Sequence, residues 1–177
     1  VGYCGNRYLI IFFSMNLIDT HQKIFIAGHN GMVGRAILRT LKKNNYTNLL
    51  CPKREDLDLT DTNQVAKWFK KNKPEIVILA AAKVGGIFAN NKYPTDFLLD
   101  NLKIQTNIIE HSWKNETKRL LFLGSSCIYP KETKQPIKEE YLLESQLEST
   151  NQWYALAKIA GLKLCEALRL QHNFDAI

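Results

Sequence analysis

From Lys23 onward, short apolar runs rich in β-branched residues alternate with longer stretches in which apolar residues recur every three or four positions. The first pattern is that of buried strands and the second that of amphipathic helices. Lys23 to Ala27 predicts a strand, followed by a glycine turn and a helix over Met32 to Lys43 with Val33, Ile37 and Leu41 on one face. A second strand is expected over Asn48 to Cys51. Thr60 or Asp61 can cap the next helix, which carries Val65, Trp68 and Phe69 and ends at Lys70, Lys71 and Lys73 before Pro74. Glu75 to Ala81 is nearly unbroken in its apolar character, as a central parallel strand covered on both faces requires. A long helix is expected over Pro94 to Lys114, a strand over Arg119 to Gly124, and another helix over Asn151 to Leu170. Phe174 to Ile177 reads as the start of a further strand, and Tyr129 to Glu144 as the one extended loop. Strand and helix in this alternation imply an open parallel α/β sheet with right-handed crossovers.

The composition agrees with one globular domain: 177 residues, 45% hydrophobic, with only nine glycines and five prolines. The net charge of +7 and a pI near 9.2 point to an anionic partner without choosing among nucleic acid, phospholipid and a small phosphate ester. The basic groups Arg35/Arg39/Lys42/Lys43, Lys67/Lys70/Lys71/Lys73 and Lys131/Lys134/Lys138 are not interleaved with aromatics. They read as solvated faces, so neither nucleic acid nor a membrane is an expected partner. Cys4, Cys51, Cys127 and Cys165 are far apart, with no metal or disulfide spacing. Reduced thiols in a cytoplasmic protein are the expectation. The run Tyr8 to Phe13 is too short to span a bilayer. Residues 1–14 read as an extension without a role in the fold, and Met15 as the more natural start.

Three stretches carry candidate chemistry. Gly28-His29-Asn30-Gly31-Met32-Val33-Gly34 joins the first strand to the first helix, where a glycine turn lets backbone approach a pyrophosphate and the helix N-terminus stabilises its charge. A tight structural turn is the alternative. After the second strand, where an acidic residue would hold NAD ribose, the chain has Lys53-Arg54. A guanidinium suits a 2′-phosphate, which favours NADPH, although Glu55 and Asp56 follow and an exposed basic turn is the other reading. Asp58 and Leu59 are well placed to flank an adenine ring.

Tyr154 and Lys158 are four apart on one helix and share a face. An ammonium beside a phenol favours the phenolate, which suits a tyrosine acid, and Lys158 can also reach a nicotinamide ribose; a surface pair is the bland alternative. Ser125, Ser126 and Cys127 follow the fourth strand at the carboxyl edge where such sheets take their ligands. Hydroxyls there can hold a carbonyl. A thiol titrates close enough to neutrality to move protons at carbon, though a small packing residue explains Cys127 as well.

GHNGMVG, AAAKVGG (Ala80 to Gly86), GSSCIYP (Gly124 to Pro130) and YALAKIAGLKLCE (Tyr154 to Glu166) together resemble the GDP-L-fucose synthase family of extended short-chain dehydrogenase/reductases. The resemblance implies a Rossmann-type doubly wound sheet over residues 23–177, after an extension over 1–22. It implies NADP(H) as cofactor, a GDP-sugar substrate and a homodimer. The reaction implied is 3,5-epimerisation of GDP-4-keto-6-deoxy-D-mannose followed by reduction at C4. On this resemblance Tyr154 gives the proton to the C4 oxygen, Lys158 orients cofactor and tyrosine, Ser125 contacts the carbonyl, and Cys127 is the epimerisation acid/base. Gly28 to Gly34, with Arg54, Glu55, Asp56, Leu57, Asp58 and Leu59, would bind the cofactor. Leu123, Gly124, Ser125 and Ser126 would border it. Lys83 and Asn101 fall near the pocket. The dimer would be a four-helix bundle seamed by Ile104/Ile108 and Leu164/Leu168.

Two departures from the family pattern stand out. Asn30 occupies a position where a basic residue often assists the 2′-phosphate. The sequence also corresponds to an N-terminal portion, with the sugar pocket and a histidine partner for Cys127 expected after Ile177. A sister nucleotide-sugar epimerase or dehydratase would share the glycines and YxxxK, but typically with acidity at strand two. A non-catalytic NADP-binding module is the remaining alternative.

Overall fold

The structure, a computed structural model, describes residues 18–177, so Cys4, Met15 and the expectations for residues 1–14 lie outside the described residues. Its elements are β1 (Ile24–Ala27), α1 (Met32–Lys43), β2 (Leu49–Leu50), α2 (Thr62–Asn72), β3 (Ile76–Leu79), α3 (Ile87–Lys92), α4 (Pro94–Lys114), β4 (Arg119–Phe122) and α5 (Gln152–His172). The strands run parallel in the order β2-β1-β3-β4. Ala176 forms a parallel bridge to Leu120, with the Leu120 N–H donating to Asp175 at 2.9 Å. The expected final strand thus begins beside β4.

The period of two along each strand divides the core between the two faces of the sheet. Ile24, Ile26, Ile76 and Ile78 meet Ile37, Leu38 and Leu41 of α1. Phe25, Val77, Leu79, Leu120 and Phe122 meet Val65 and Phe69 of α2, Ile108 and Ile109 of α4, and Cys165 and Leu168 of α5. Phe25 lies 4.3 Å from Trp68 and 5.9 Å from Phe69 between ring centroids, so truncating it to alanine would cost ~3–5 kcal/mol.

Local chemistry ends the helices where the periodicity does. The Asp61 carboxylate accepts from the N–H groups of Asn63 (2.8 Å) and Gln64 (3.1 Å), and so caps α2. Lys73 closes α2 in the left-handed region at φ 47°, just before Pro74. Pro94 opens α4, where its missing N–H costs no helix bond.

Two expectations need correction, and one element lay outside them. Val33 does not join the core face of α1 but is 46% exposed at the carboxyl edge of the sheet, because the first turn of the helix projects beyond it. The short helix α3 was not foreseen. Ile104, Ile108, Leu164 and Leu168 do not form an outward seam: Ile108 and Leu168 are in this chain's own core, with Ile104 and Leu164 packed against it. The outward apolar positions of α4 and α5 are Leu98, Leu99, Leu102, Trp153 and Leu156, with Leu170 exposed near the far end of α5. No helix among the described residues is long and apolar enough to cross a membrane.

Candidate active site

The chain goes from β1 to its neighbour β2 on one side, and then to β3 and β4 on the other. A crevice therefore opens at the carboxyl ends of β1 and β3, the switch point where open α/β sheets take ligands. Gly28 turns the chain there at φ +87°, and a Cβ on it would lie 2.6 Å from the Ala81 nitrogen. Glycine is what allows the turn to rest on the end of β3. A Cβ on Gly34 would meet the Gly28 carbonyl carbon at 2.7 Å and the His29 Cα at 2.8 Å, so its absence lets α1 start directly on the turn. Gly31 is different: its nearest neighbour would be the Gly28 oxygen at 3.4 Å, and the space beyond is open.

The N-terminus of α1 has no side-chain cap and no acidic residue in its first turn. The helix ladder begins with Arg35 donating to the Gly31 carbonyl at 2.9 Å, leaving the N–H groups of Met32, Val33 and Gly34 without helical partners. Uncapped amides beside an exposed glycine turn fit a pyrophosphate. His29 is half-buried; Asn30 and Met32 are exposed on the same edge.

Beyond β2, Arg54 is exposed and makes no ion pair among the described residues. Glu55 instead pairs with Lys53 at 3.6 Å. Asp58 accepts from the Thr60 N–H (2.9 Å) and hydroxyl (2.8 Å), bonds that hold its carboxyl below the usual range, with a smaller pull from Arg54. Neither carboxylate therefore occupies the guanidinium. Asp56 is exposed. Leu57 is 3% exposed within the core and offers a ligand only its backbone, while Leu59 packs half-buried against that core. From β2 to β4 are three strand spacings, ~14 Å, so the two ends of the edge suit an elongated two-nucleotide ligand.

At the β4 end, α5 turns Tyr154 and Lys158 toward Ser125 and Cys127. Lys158 is 3% exposed; its ammonium donates to the Leu123 carbonyl at 2.7 Å, lies 4.6 Å from the Phe122 ring centroid and 5.9 Å from that of Tyr154. Burial pulls that ammonium down to about 8, with Cys127 acting in the opposite direction. Ser125 Oγ and Cys127 Sγ stand 3.2 Å apart on the tight turn Ser126–Ile128, while Gly124 and Ser126 are exposed beside them. Burial raises the Tyr154 phenol and the neighbouring Cys127, when ionised, pushes the same way; a hydrogen bond with Ser125 offsets part. The lowering expected from Lys158 does not appear: only the Ser125 hydrogen bond acts downward on the phenol, against burial and Cys127. A phenol that keeps its proton at neutral pH is a competent acid, and a thiol and a hydroxyl beside it can move protons and hold a carbonyl oxygen.

Asn101 ties the loop after β3: its amide oxygen accepts from the Lys83 N–H at 2.8 Å, and its NH2 donates to the Lys83 carbonyl at 3.0 Å. The Lys83 ammonium pairs with Asp100 (2.8 Å) and Asp96 (3.0 Å). Those two carboxylates were not foreseen, nor was Asn107, which donates to the Leu59 carbonyl at 2.9 Å and accepts from the Thr62 hydroxyl at 2.8 Å. Among the described residues, no cluster of three or more acidic, histidine or cysteine side chains could hold a metal.

A GDP-L-fucose synthase of Arabidopsis thaliana is 56% identical over 162 residues, covering 92% of this chain and 50% of that protein. The GDP-L-fucose synthase of Escherichia coli is 51% identical over 154 residues, covering 87% and 48%. Among solved structures, a GDP-D-glycero-L-gluco-heptose synthase from Campylobacter jejuni, determined in the presence of NADPH, matches with a TM-score of 0.88 at 42% identity, covering 90% of this chain and 47% of that one. The chain spans about half the length of the curated relatives it matches. The sequence model of the NAD dependent epimerase/dehydratase family aligns with residues 24–177, which include the glycine turn, the Ser125–Cys127 turn and the Tyr154–Lys158 pair, and the chain belongs to that family.

Proposed function

We propose that this chain is the coenzyme-binding, acid–base part of an NADPH-dependent enzyme that epimerises GDP-4-keto-6-deoxy-D-mannose at C3 and C5 and reduces it at C4 to GDP-L-fucose. The observation that carries the reading is the meeting of Tyr154, Lys158, Ser125 and Cys127 at the carboxyl end of β4, on the same sheet edge as the Gly28–Gly34 turn. A ketone at C4 acidifies the hydrogens on both flanking carbons. Cys127 moves a proton at those carbons while Ser125 holds the carbonyl oxygen. Tyr154 then gives its proton to that oxygen, and the Lys158 ammonium stabilises the phenolate left behind. NADPH, when bound, would supply the hydride to C4; the first-turn amides of α1 would hold its pyrophosphate and Arg54 its 2′-phosphate.

A non-catalytic module would have no need of a thiol, a phenol and a costly buried ammonium in one place. A GDP-linked 4-keto heptose is the second substrate reading, raised by the Campylobacter neighbour. Identity of 56% to the Arabidopsis relative against 42% favours the 6-deoxy sugar. We also propose that α4 and α5 pair with their copies in a second subunit through Leu98, Leu99, Leu102 and Trp153, which line a groove of ≈ 330 Å³. Light scattering of Leu102→Glu should then report monomer where the parent protein is dimer; a parent that is itself monomeric at micromolar concentration contradicts the pairing.

The test of the reaction is NADPH consumption by the complete enzyme on addition of the keto sugar. Tyr154→Phe should lower it at least ~100-fold. Equal turnover with and without the hydroxyl would contradict the assignment.

A further inference from the structure

Helices α4 and α5 cross with a polar side chain between them. Gln105 of α4 is 3% exposed, and its amide donates to the carbonyl oxygen of Ala157, the residue before Lys158. One turn farther along α5 is Gly161, in the middle of a 21-residue helix, where glycine is unfavourable unless packing requires it. Packing does require it: a methyl group there would stand 2.6 Å from Cζ of Phe122 and 2.9 Å from Cδ of Gln105. The gap in α5 is thus filled from one side by the end of β4 and from the other by α4.

The ring that fills this gap is the one on which the Lys158 ammonium lies, 4.6 Å from its centroid. The residue after that ring, Leu123, supplies the carbonyl that accepts from the same ammonium. A lysine this deeply buried has little water to compensate for lost hydration, so the ring face and the carbonyl are what keep it charged. Both supports come from adjacent residues at the end of β4, Phe122 and Leu123. The height of Phe122 against α5 is set by Gly161, and the rotation of α5 against α4 by Gln105.

We propose that Gln105, Gly161 and Phe122 form a seat that positions Lys158, and with it Tyr154, against Ser125 and Cys127. They are positioning residues, each acting through the lysine, and the proposal rests on the acid–base role given to Lys158 above. The titratable groups facing the ammonium are Cys127 from the turn after β4 and Tyr154 from its own helix. The contacts described from α4 and β4 are an amide, a ring and a carbonyl, none of which titrates.

The experiment is a pH titration of lysine ε-carbon NMR signals, with Lys158 assigned by its loss in Lys158→Met. In Phe122→Leu, which keeps the site apolar but removes the ring face, the Lys158 transition should move down by about one pH unit. Gly161→Ala should shift it in the same direction by displacing the ring, and should lower kcat about tenfold. In a Phe122→Leu background the methyl no longer meets the ring and only Gln105 Cδ, at 2.9 Å, still crowds it, so the added loss from Gly161→Ala should shrink. Gln105→Leu keeps the volume without the donor and serves if Gly161→Ala does not fold; it too should move the transition. A Lys158 transition unmoved in Phe122→Leu and Gln105→Leu would overturn the seat. Shifted titrations in a protein that does not reduce the keto sugar would uphold the seat and refute the reaction.

Discussion

The Lys158 ammonium donates to the Leu123 carbonyl at 2.7 Å, tying α5 to the first residue beyond β4 at a point where the lysine is 3% exposed. One carbonyl and one ring face do not replace a full hydration shell, and the ammonium falls to about 8 from 10.5. The unfolded chain therefore holds the proton more tightly between those values, and native stability rises with pH through that window. Lys158→Met, which keeps the length without the charge, should stabilise the fold at pH 7 by up to ~3 kcal/mol. The advantage should be full below pH 8 and fade toward pH 10.5. Thermal unfolding across pH 6–10 checks this, and the same variant should lose reductase activity; a variant less stable than the parent at pH 7 would show that the lysine is net stabilising.

The glycines of the first turn should separate into two kinds. Gly34→Ala places its methyl against the Gly28 carbonyl and His29, so it should lose stability by ~1–3 kcal/mol or more. Gly31→Ala meets only the Gly28 oxygen, at 3.4 Å, and should fold within ~0.5 kcal/mol of the parent while losing NADPH affinity, because its open side is where a pyrophosphate would rest. Urea unfolding together with NADPH binding distinguishes the two. Equal effects of both substitutions on both measurements would count against an open cradle.

Arg54 makes no ion pair with Glu55 or Asp58, whose carboxylates are bound to Lys53 and Thr60. Arg54→Ala should weaken NADPH binding by ~1.5–3 kcal/mol, the range for a hydrogen bond to a charged group, and leave NADH untouched. Equal losses for the two coenzymes would remove Arg54 from the 2′-phosphate.

Much of this was legible because the signals were local. Glycine and proline punctuate α1 and α4, and their bounds, 32–43 and 94–114, match the periodicity. Tyr154 and Lys158 are brought together by a single turn of helix. Strand ends were over-read: Asn48 to Cys51 contracts to Leu49–Leu50, because a strand extends only as far as its ladder partners. The outward face of α4 was misjudged since Leu98/Leu102 and Ile104/Ile108 are both apolar, and only the position of the sheet tells which pair is inside. The polar clamps on α4 were beyond reach for the same reason. Asn107 binds Leu59 and Gln105 binds Ala157 across about fifty residues of chain, a separation over which no local pattern carries information.

Cys127 lies 3.2 Å from Ser125 and bears on the ionisation of both Tyr154 and Lys158. In the active enzyme, Cys127→Ser should abolish deuterium uptake from solvent at C3 and C5 of the keto sugar. Reduction of a sugar already epimerised should fall much less, because Tyr154 and not the thiol protonates the oxygen. Deuterium washed in at the parental rate would leave Cys127 as a packing residue.

The central claim is that the edge from Gly28 to Arg54 and on to Lys158 receives NADPH, and fluorescence titration of this 177-residue chain with the coenzyme tests it most directly. Saturable binding of NADPH, tighter than that of NADH and lost in Gly31→Ala, is the expected result. A folded chain with no affinity for NADPH, or one whose affinity survives Gly31→Ala unchanged, would contradict it.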